Sequence, residues 1–187
     1  MIEQEHTDMS LNSDLQTPAE NLLAELSALP RTDFVARLGD IFEHTPWIAD
    51  RAWPERPFDS IDTLHAAMIA ALTSASAAEQ LALIRAHPEL AGKEAAAGTL
   101  TESSTGEQKG AGLDQCSATE LQRLRSLNAT YQARFGFPFV IAVKGLTRYQ
   151  IMDAIEARLQ NDTDTEFRTC LREIGKIARF RLDALLA

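Results

Sequence analysis

The stretch FGFPFVIAVKG, from Phe135 to Gly145, decides between two fold classes for this chain. Its length and its β-branched residues allow a buried strand, although Pro138 lies inside it. A strand needs partners, and no second strand-like run occurs elsewhere in the sequence. We therefore predict that this stretch is an extended, mostly buried connector and that the fold is all-α.

Helix signals fill the rest of the chain. Capping boxes, in which a hydroxyl residue is followed three positions later by Glu or Gln, occur at Thr17/Glu20, Ser76/Glu79, Ser104/Glu107, Ser117/Glu120, Thr147/Gln150 and Thr163/Glu166. Apolar residues recur at helical spacing, as in Leu121, Leu124, Leu127 and Tyr131. These patterns predict about eight helices, or nine when 104–111 is counted, at 18–28, 32–43, 46–53, 60–73, 77–86, 104–111, 118–134, 148–160 and 164–185.

The composition is that of one compact, acidic domain. The 187 residues are 45% hydrophobic and 24% charged, and no linker separates two cores. Residues 1–16 are polar and acidic, so we expect a flexible tail there, followed by a helical domain at 17–187. The formal net charge of −9 opposes binding to phosphates, so we expect no nucleic acid partner.

Several features bear on where the protein works. No stretch approaches about 18 uninterrupted apolar residues and the N-terminus is acidic, so the sequence predicts neither a membrane partner nor a secretory signal. Cys116 and Cys170 lie far apart, in no metal or redox spacing, which is typical of a reducing compartment. The last residues carry no peroxisomal SKL-type signal, and we expect a cytoplasmic protein.

Two residues are candidates for acid–base chemistry. His87 stands before Pro88, which prevents it from continuing a helix, so its side chain should project from a helix end. It either caps the preceding carbonyl groups or acts on a ligand. Glu107 has two possible roles. It is either the carboxylate of the capping box that begins at Ser104, bonded back to the Ser104 N–H, or the partner of a histidine whose pKa it shifts. The residue pattern leaves these alternatives open.

Arg181 is the third candidate because it lies on the apolar stripe of the last helix. It either binds a carboxylate or an anionic ligand there, or extends its charge to water. Metal and nucleotide chemistry is poorly supported, since no HExxH, CxxC, GxGxxG, P-loop or GxSxG pattern occurs. We expect a protein that needs neither a metal nor a nucleotide cofactor.

Six ordered motifs resemble a known family. They are EHTPWIADRAW (Glu43–Trp53), HPELAGK (His87–Lys93), STGEQKGAGL (Ser104–Leu113), FGFPFVIAVKG (Phe135–Gly145), EARLQND (Glu156–Asp162) and IARFRL (Ile177–Leu182). In this order and spacing they are similar to the 2-oxo-4-hydroxy-4-carboxy-5-ureidoimidazoline (OHCU) decarboxylases, which form (S)-allantoin in urate degradation. The resemblance covers nearly everything after about residue 20.

The resemblance implies a cofactor-free, all-α enzyme, usually a homodimer, that acts on a small molecule. It assigns His87 as the essential acid–base residue, Glu107 as its partner and Arg181 as a substrate clamp. Arg179 lies two positions before Arg181, and a slip along the helix would exchange the two. The residues implied to line the substrate are Pro88, Ser104, Thr105, Gly106, Gln108, Phe139, Val140, Ile141, Ala142 and Val143.

The implied chemistry agrees with the absence of cofactor motifs. In this substrate class the carboxylated carbon lies beside a ring imine, which accepts the electrons that remain when CO2 leaves. Our hypothesis gives His87 a proton to donate to one face of the planar intermediate, with Glu107 favouring the protonated ring. The alternatives are a non-catalytic helical interaction module, in which His87 and Glu107 are ordinary caps, and an inactive relative of the enzymes.

Overall fold

Ten α-helices account for most of residues 18–187, the residues that this computed structural model describes. They are α1 (Pro18–Ala28), α2 (Arg31–Leu38), α3 (Trp47–Ala52), α4 (Ile61–Thr73), α5 (Ala77–Ala86), α6 (Lys93–Ala97), α7 (Glu102–Gly110), α8 (Ala118–Phe135), α9 (Arg148–Arg158) and α10 (Thr163–Leu185). No strand occurs between residues 18 and 187, which confirms the all-α prediction. The predicted tail at 1–16 and the capping residue Thr17 lie outside the described residues.

Three predicted capping boxes begin helices as expected. The side chains of Ser76, Ser117 and Thr147 each accept a hydrogen bond from the backbone N–H three residues later, at the starts of α5, α8 and α9. In each box the third-following Glu or Gln binds back to the cap's own N–H. These local signals therefore mark three helix starts in the sequence.

Two other predicted capping boxes are wrong. The cap of α7 is Thr101, whose hydroxyl accepts from the N–H of Ser104, so Glu107 lies in the second turn and not at the return position. The cap of α10 is Asp162, and Glu166 is fully buried instead of closing a box at the surface. In both cases a carboxylate that looked like a capping group forms an ion pair across the fold.

Two stretches depart from the predicted helices. The helix expected at 32–43 ends at Leu38, and the apolar spacing that suggested its continuation belongs to turns that still bury Ile41 and Phe42. The short helix α6 was not predicted. It is one turn long and ends at Gly98, whose φ of 67° is a left-handed conformation that glycine adopts without strain.

The last helix is central to the packing. α10 packs against α4 and α5, α8 packs against α9, and α3 packs against α2 and α4. The apolar core contains side chains from these helices. Its completely buried members include Phe34, Leu64, Leu124 and Ile151. Side chains on one long helix are thereby brought next to residues from distant parts of the sequence.

The segment between α8 and α9 contains neither helix nor strand, and Phe137, Phe139, Val140, Ala142 and Val143 within it are buried, in agreement with the predicted connector. Gly136 ends α8 with a φ of 76°, and its carbonyl oxygen accepts from Arg85 of α5. The rings of Phe137 and Phe139 pack edge-on against Tyr131, with centroid distances of 6.2 and 5.1 Å. This aromatic cluster anchors the connector next to the end of α5.

Among the described helices, none is by itself long and apolar enough to cross a bilayer. α4 and α5 satisfy the length and composition requirement only when taken together, and the chain bends by 117° between them.

Candidate active site

His87 lies where α5 ends. The backbone leaves the helix at this residue, with φ −74° and ψ 132°, as the following Pro88 requires. The residue is 7% exposed, and its Nδ1 lies 2.9 Å from the carbonyl oxygen of Leu83. Because a carbonyl oxygen only accepts hydrogen bonds, Nδ1 carries the hydrogen and Nε2 of the neutral ring keeps its lone pair.

Burial sets the protonation state of His87. It lowers the pKa of the imidazole to about 4, against the opposing effects of the Leu83 carbonyl and the Glu43 carboxylate. The ring is therefore neutral at pH 7. In the described part of the chain Nε2 has no hydrogen-bond partner, and it does not belong to the polar atoms sealed from solvent. The lone pair of Nε2 is thus accessible from the adjoining cavity.

Most of the predicted site residues line one small cavity next to His87. Its volume is about 30 Å³, close to the space that one water molecule occupies. The predicted residues in its wall are His87, Pro88, Ser104, Glu107, Gln108, Phe139, Val140, Ile141, Val143 and Arg181. Residues that are as much as 94 positions apart, from His87 to Arg181, therefore meet at one place.

Three predicted site residues lie outside this wall. Thr105 is exposed and its hydroxyl donates to the Thr101 carbonyl at 2.9 Å. Gly106 lines a neighbouring cleft. Ala142 points its amide away, toward the Glu173 carboxylate at 3.0 Å. Their predicted contact with a ligand is not evident in this conformation.

Arg181 is enclosed by acceptors. Its Nε and Nη2 donate to the two carboxylate oxygens of Glu107 at 2.7 and 3.0 Å, and Nη2 also donates to the Ser104 hydroxyl at 3.2 Å. Nη1 donates to the Asp40 carbonyl at 3.3 Å and forms an ion pair with Glu43 at 2.8 Å. Each of the three guanidinium nitrogens is thus engaged by at least one acceptor.

These contacts decide between the alternatives for Arg181. The residue is 8% exposed, so it binds carboxylates in the interior and does not extend to water. Burial lowers its pKa, but Glu107 and Glu43 outweigh this effect and raise it. Arg179 instead pairs with Asp62 and Asp183 at the surface and does not line the cavity.

Glu43 is a site residue that the sequence analysis did not identify. It is 2% exposed, and its carboxylate accepts from the hydroxyls of Ser104 at 2.9 Å and Thr101 at 2.8 Å. Burial would raise its pKa, but Arg181 and these hydroxyls lower it, so Glu43 is ionised. The available signal was its place as the first residue of the motif EHTPWIADRAW, an acidic residue directly after two apolar ones.

Glu107 differs from its expected position as the partner of His87. It binds Arg181, and among the described residues no hydrogen bond joins it to His87. Its side chain is 27% exposed, whereas that of Glu43 is 2% exposed. The two carboxylates therefore hold Arg181 unequally, since one is fixed in the interior and the other is open to solvent.

The loop after His87 is tied to the surrounding helices. The Gln108 side-chain oxygen accepts from the amide of Ala91 at 2.9 Å, and the Asn128 side-chain amide donates to the Leu90 carbonyl at 2.9 Å. Gln108 therefore keeps its NH2 group for the cavity that it lines. These contacts explain why HPELAGK, a segment with little helix, holds one conformation.

A larger cleft adjoins the small cavity. Its volume is about 750 Å³, and it shares Glu107, Val143, Ile177 and Arg181 with the cavity wall. The Arg181–Glu107 ion pair thus borders both spaces. Another groove, of about 710 Å³ between α4 and α10, contains none of the predicted site residues. No group of three or more His, Cys, Asp or Glu side chains within residues 18–187 could hold a metal ion.

Comparisons with known sequences agree with the resemblance. The model of the OHCU decarboxylase family matches residues 27–183. The chain is 43% identical over 163 residues to the 2-oxo-4-hydroxy-4-carboxy-5-ureidoimidazoline decarboxylase of Haloferax volcanii, covering 87% of this chain and 95% of that protein. It is 37% identical over 164 residues to the protein of that name from Mus musculus, covering 88% and 92%.

Two solved structures are similar in fold. A crystal structure of (S)-allantoin synthase gives a TM-score of 0.70 at 28% identity and covers 87% of this chain and 53% of that one. A crystal structure of OHCU decarboxylase in the presence of (S)-allantoin gives 0.64 at 21% identity, with coverages of 82% and 96%. The second likeness supports the fold alone.

The unequal burial of the two carboxylates leads to a prediction about stability. Glu43→Gln removes the fixed partner of a buried guanidinium and should lower the free energy of unfolding by about 3 kcal/mol. Glu107→Gln should lower it by less than about 1 kcal/mol, because this side chain is partly exposed and Arg181 keeps Glu43. Urea unfolding at pH 7 measures both values. Equal losses in the two variants would contradict the assignment.

The buried neutral histidine leads to a prediction about pH. The pKa of His87 is about 4 in the fold and near 6.5 in the unfolded chain, so the unfolded chain binds more protons between these values. The contribution of His87 is therefore complete above pH 6.5 and is lost as the pH falls to 4, by up to about 3 kcal/mol. His87→Asn should flatten the dependence of the unfolding free energy on pH in this window.

His65 provides the control for that measurement. Like His87 it is hydrogen-bonded to a backbone carbonyl, that of Gly175, but it is only half-buried and lies in the groove between α4 and α10. His65→Asn should keep the steep dependence of the wild type between pH 4 and 6.5. Parallel curves for His87→Asn and the wild type would show that the His87 ring is not held neutral.

Proposed function

The chain belongs to the OHCU decarboxylase family, and on that premise we propose that it converts 2-oxo-4-hydroxy-4-carboxy-5-ureidoimidazoline to (S)-allantoin and CO2 in urate degradation. The observation that carries the proposal is the meeting of His87, Glu107 and Arg181 at one cavity. An open imidazole nitrogen beside a buried cation is suited to moving a proton on an anionic substrate. A non-catalytic helical module would have no need of this arrangement.

The substrate supplies its own electron sink. When the bond between the ring carbon and CO2 breaks, its electron pair passes into the ring, where the neighbouring imine accepts it. One proton must then be added to carbon, and overall one proton is taken up from solution. The protein therefore has to bind the anion, orient the carboxylate perpendicular to the ring and control one proton. This chemistry requires no cofactor, and we propose that the enzyme uses none.

His87 is proposed to act first as a base. Its ring is neutral at pH 7 and the lone pair of Nε2 is open to the cavity, so it can accept the proton of the substrate's 4-hydroxyl group. The resulting imidazolium then returns a proton to one face of the planar intermediate, which sets the hand of the product. The sequence does not decide whether His87 acts first as a base or only as an acid. Burial, which has the largest effect on its pKa, favours the first order over a ring that Glu107 keeps protonated.

Glu107 and Arg181 are proposed to open the site. A cavity of about 30 Å³ is too small for a ureido-substituted ring, and the cleft of about 750 Å³ begins at the Arg181–Glu107 pair. We infer that the substrate enters from the cleft and displaces the Glu107 carboxylate from Arg181. A substrate oxygen that bears charge then takes its place, so that the guanidinium exchanges one anion for another while Glu43 stays bound.

The remaining wall is proposed to bind the ring and its ureido group. The Ser104 hydroxyl accepts from Arg181, the Gln108 NH2 group has no hydrogen-bond partner among the described residues, and Phe139, Val140, Ile141 and Val143 line the cavity. A flat heterocycle rich in N–H and C=O groups requires such partners. Thr105 and Gly106 would contact the substrate only after Glu107 has moved.

The homodimer and the cytoplasmic location remain proposals. The first rests on the resemblance to the family, and sedimentation analysis of the full chain tests it. The second rests on the sequence features given above and awaits localisation in cells.

Replacing His87 tests the proposed function. The substrate is generated with urate oxidase and a hydrolase, and its decay is followed by absorbance and by circular dichroism of the allantoin formed. The wild type should accelerate the decay and give one enantiomer in excess. His87→Asn should reduce the rate about 100-fold or more, because general acid–base catalysis is lost, whereas His65→Asn should leave it unchanged.

Two outcomes would contradict the proposal at different levels. Near-normal turnover by His87→Asn, with a fold intact by far-UV circular dichroism, would remove the proposed role of the imidazole. Unaccelerated decay to racemic allantoin with the wild type would instead remove the decarboxylase function and favour the interaction module or the inactive relative.

A further inference from the structure

The extended connector is held along one edge by two charged side chains. Arg158, the last residue of α9, donates from Nη1 to the carbonyl oxygen of Val140 at 2.8 Å. Glu173 of α10 accepts from the amide of Ala142 at 3.0 Å. Both hydrogen bonds come from α9 and α10. The two side chains thus satisfy backbone groups of the connector that a neighbouring strand would satisfy in a β-sheet.

The two hydrogen bonds also indicate which way the backbone groups of the residue between them point. In such a chain the N–H and C=O of residues i and i+2 point to one side, and those of residue i+1 point to the other. Because Val140 and Ala142 face α9 and α10, the polar groups of Ile141 face away from these helices. Phe139, Val140, Ile141 and Val143 line the His87 cavity, whereas Ala142 does not, so the lining by itself does not separate the two edges and the backbone hydrogen bonds must do so.

Most polar groups on this second edge have no hydrogen-bond partner among the described residues. Between residues 18 and 187, no hydrogen bond engages the N–H or C=O of Ile141 or the N–H of Val143, while the Val143 carbonyl is taken by the amide of Leu146 at 2.9 Å. Backbone groups that are withdrawn from bulk water require partners. The edge that faces the cavity is thus available to a ligand.

The anchor on the α9 side is itself rigid. Nε and Nη2 of Arg158 bind one carboxylate oxygen of Glu166 at 2.7 and 2.5 Å, and the guanidinium lies 4.3 Å from the centroid of Phe139. Glu166 is fully buried and also accepts from Asn161 at 2.7 Å and from the Tyr131 hydroxyl. The motif EARLQND, which has no other role in the site, supplies both Arg158 and Asn161.

We propose that Arg158 and Glu173 are positioning residues that hold one edge of the connector, so that the N–H and C=O of Ile141 and the N–H of Val143 face the cavity and bind the planar substrate. This inference rests on the proposed function and adds residues that do not touch the substrate. The ligand class is a flat heterocycle that presents both a carbonyl acceptor and an N–H donor along one edge, as an imidazolinone ring with a ureido group does.

Glu173 offers the sharper test of the two. Arg158 belongs to a buried ion pair whose loss would disturb the core, whereas the Glu173 side chain is 13% exposed and its other partner is the surface residue Lys176, at 2.6 Å. Glu173→Ala removes the acceptor of the Ala142 amide. Glu173→Gln keeps an oxygen that can accept it, and Lys176→Ala removes only the surface partner.

The first measurement is steady-state kinetics on the generated substrate. Glu173→Ala should raise KM about tenfold and change kcat by no more than about twofold, because a binding edge has lost its position while His87 is unaffected. Glu173→Gln and Lys176→Ala should both stay within about twofold of the wild type. Wild-type KM in Glu173→Ala, or an equal loss in Glu173→Gln, would overturn the positioning role.

The second measurement does not depend on turnover. In amide-resolved NMR, hydrogen exchange at Ala142 should be protected in the wild type and Glu173→Gln and faster in Glu173→Ala. Addition of (S)-allantoin should shift the amide signals of Ile141 and Val143 in the wild type and much less in Glu173→Ala. Shifts that are equal in the two proteins, despite lost protection at Ala142, would overturn the inference even if the enzyme is active. A wild type that binds (S)-allantoin in this way without turnover would contradict the proposed function alone.

Discussion

The hydrogen bond between Nδ1 of His87 and the carbonyl of Leu83 determines what the rest of the site can do. It fixes the tautomer, aims Nε2 at the cavity and holds the ring in a buried position, where its pKa is lowered to about 4. Pro88 makes this geometry possible because the residue before a proline avoids the helical conformation. α5 therefore ends at Ala86, and His87 has an extended backbone that points its side chain away from the helix.

The charged part of the site is built around one guanidinium with two different carboxylates. Glu43, which is buried, and Glu107, which is partly exposed, both compensate the buried charge of Arg181, and we propose that an anionic ligand displaces only Glu107. This division explains how a cation can be both stably buried and able to bind a ligand. It also explains the small size of the cavity, since Glu107 occupies the position that we assign to a substrate oxygen. The connector completes the site, with its apolar side chains in the core and its free backbone edge toward His87.

Much of the fold could be predicted from sequence because it depends on local signals. The caps at Ser76, Ser117 and Thr147 and the glycine after α8 act within a few residues of the helix ends that they set. The connector can be predicted because a single apolar run cannot form a sheet.

His87 and Arg181 can be predicted as site residues because each departs from a local pattern. His87 precedes a proline, and Arg181 is a charged residue on an apolar stripe. Glu43 breaks no local rule, and its partners Arg181 and Ser104 are 138 and 61 residues away. Glu107 likewise binds Arg181, 74 residues away. Glu166 binds Arg158, only 8 residues away but on the preceding helix, and its spacing from a hydroxyl residue suggests a cap instead.

The tautomer and charge of His87 test the central claim most directly. Nitrogen-15 NMR of the imidazole, recorded across the acid range on the ligand-free protein, reports which ring nitrogen carries the hydrogen and at what pH the second one is protonated. The account predicts a neutral ring at pH 7 with the hydrogen on Nδ1, titrating well below its ordinary pKa of about 6.5. A ring protonated on both nitrogens at pH 7, or a neutral ring with its hydrogen on Nε2, would contradict it.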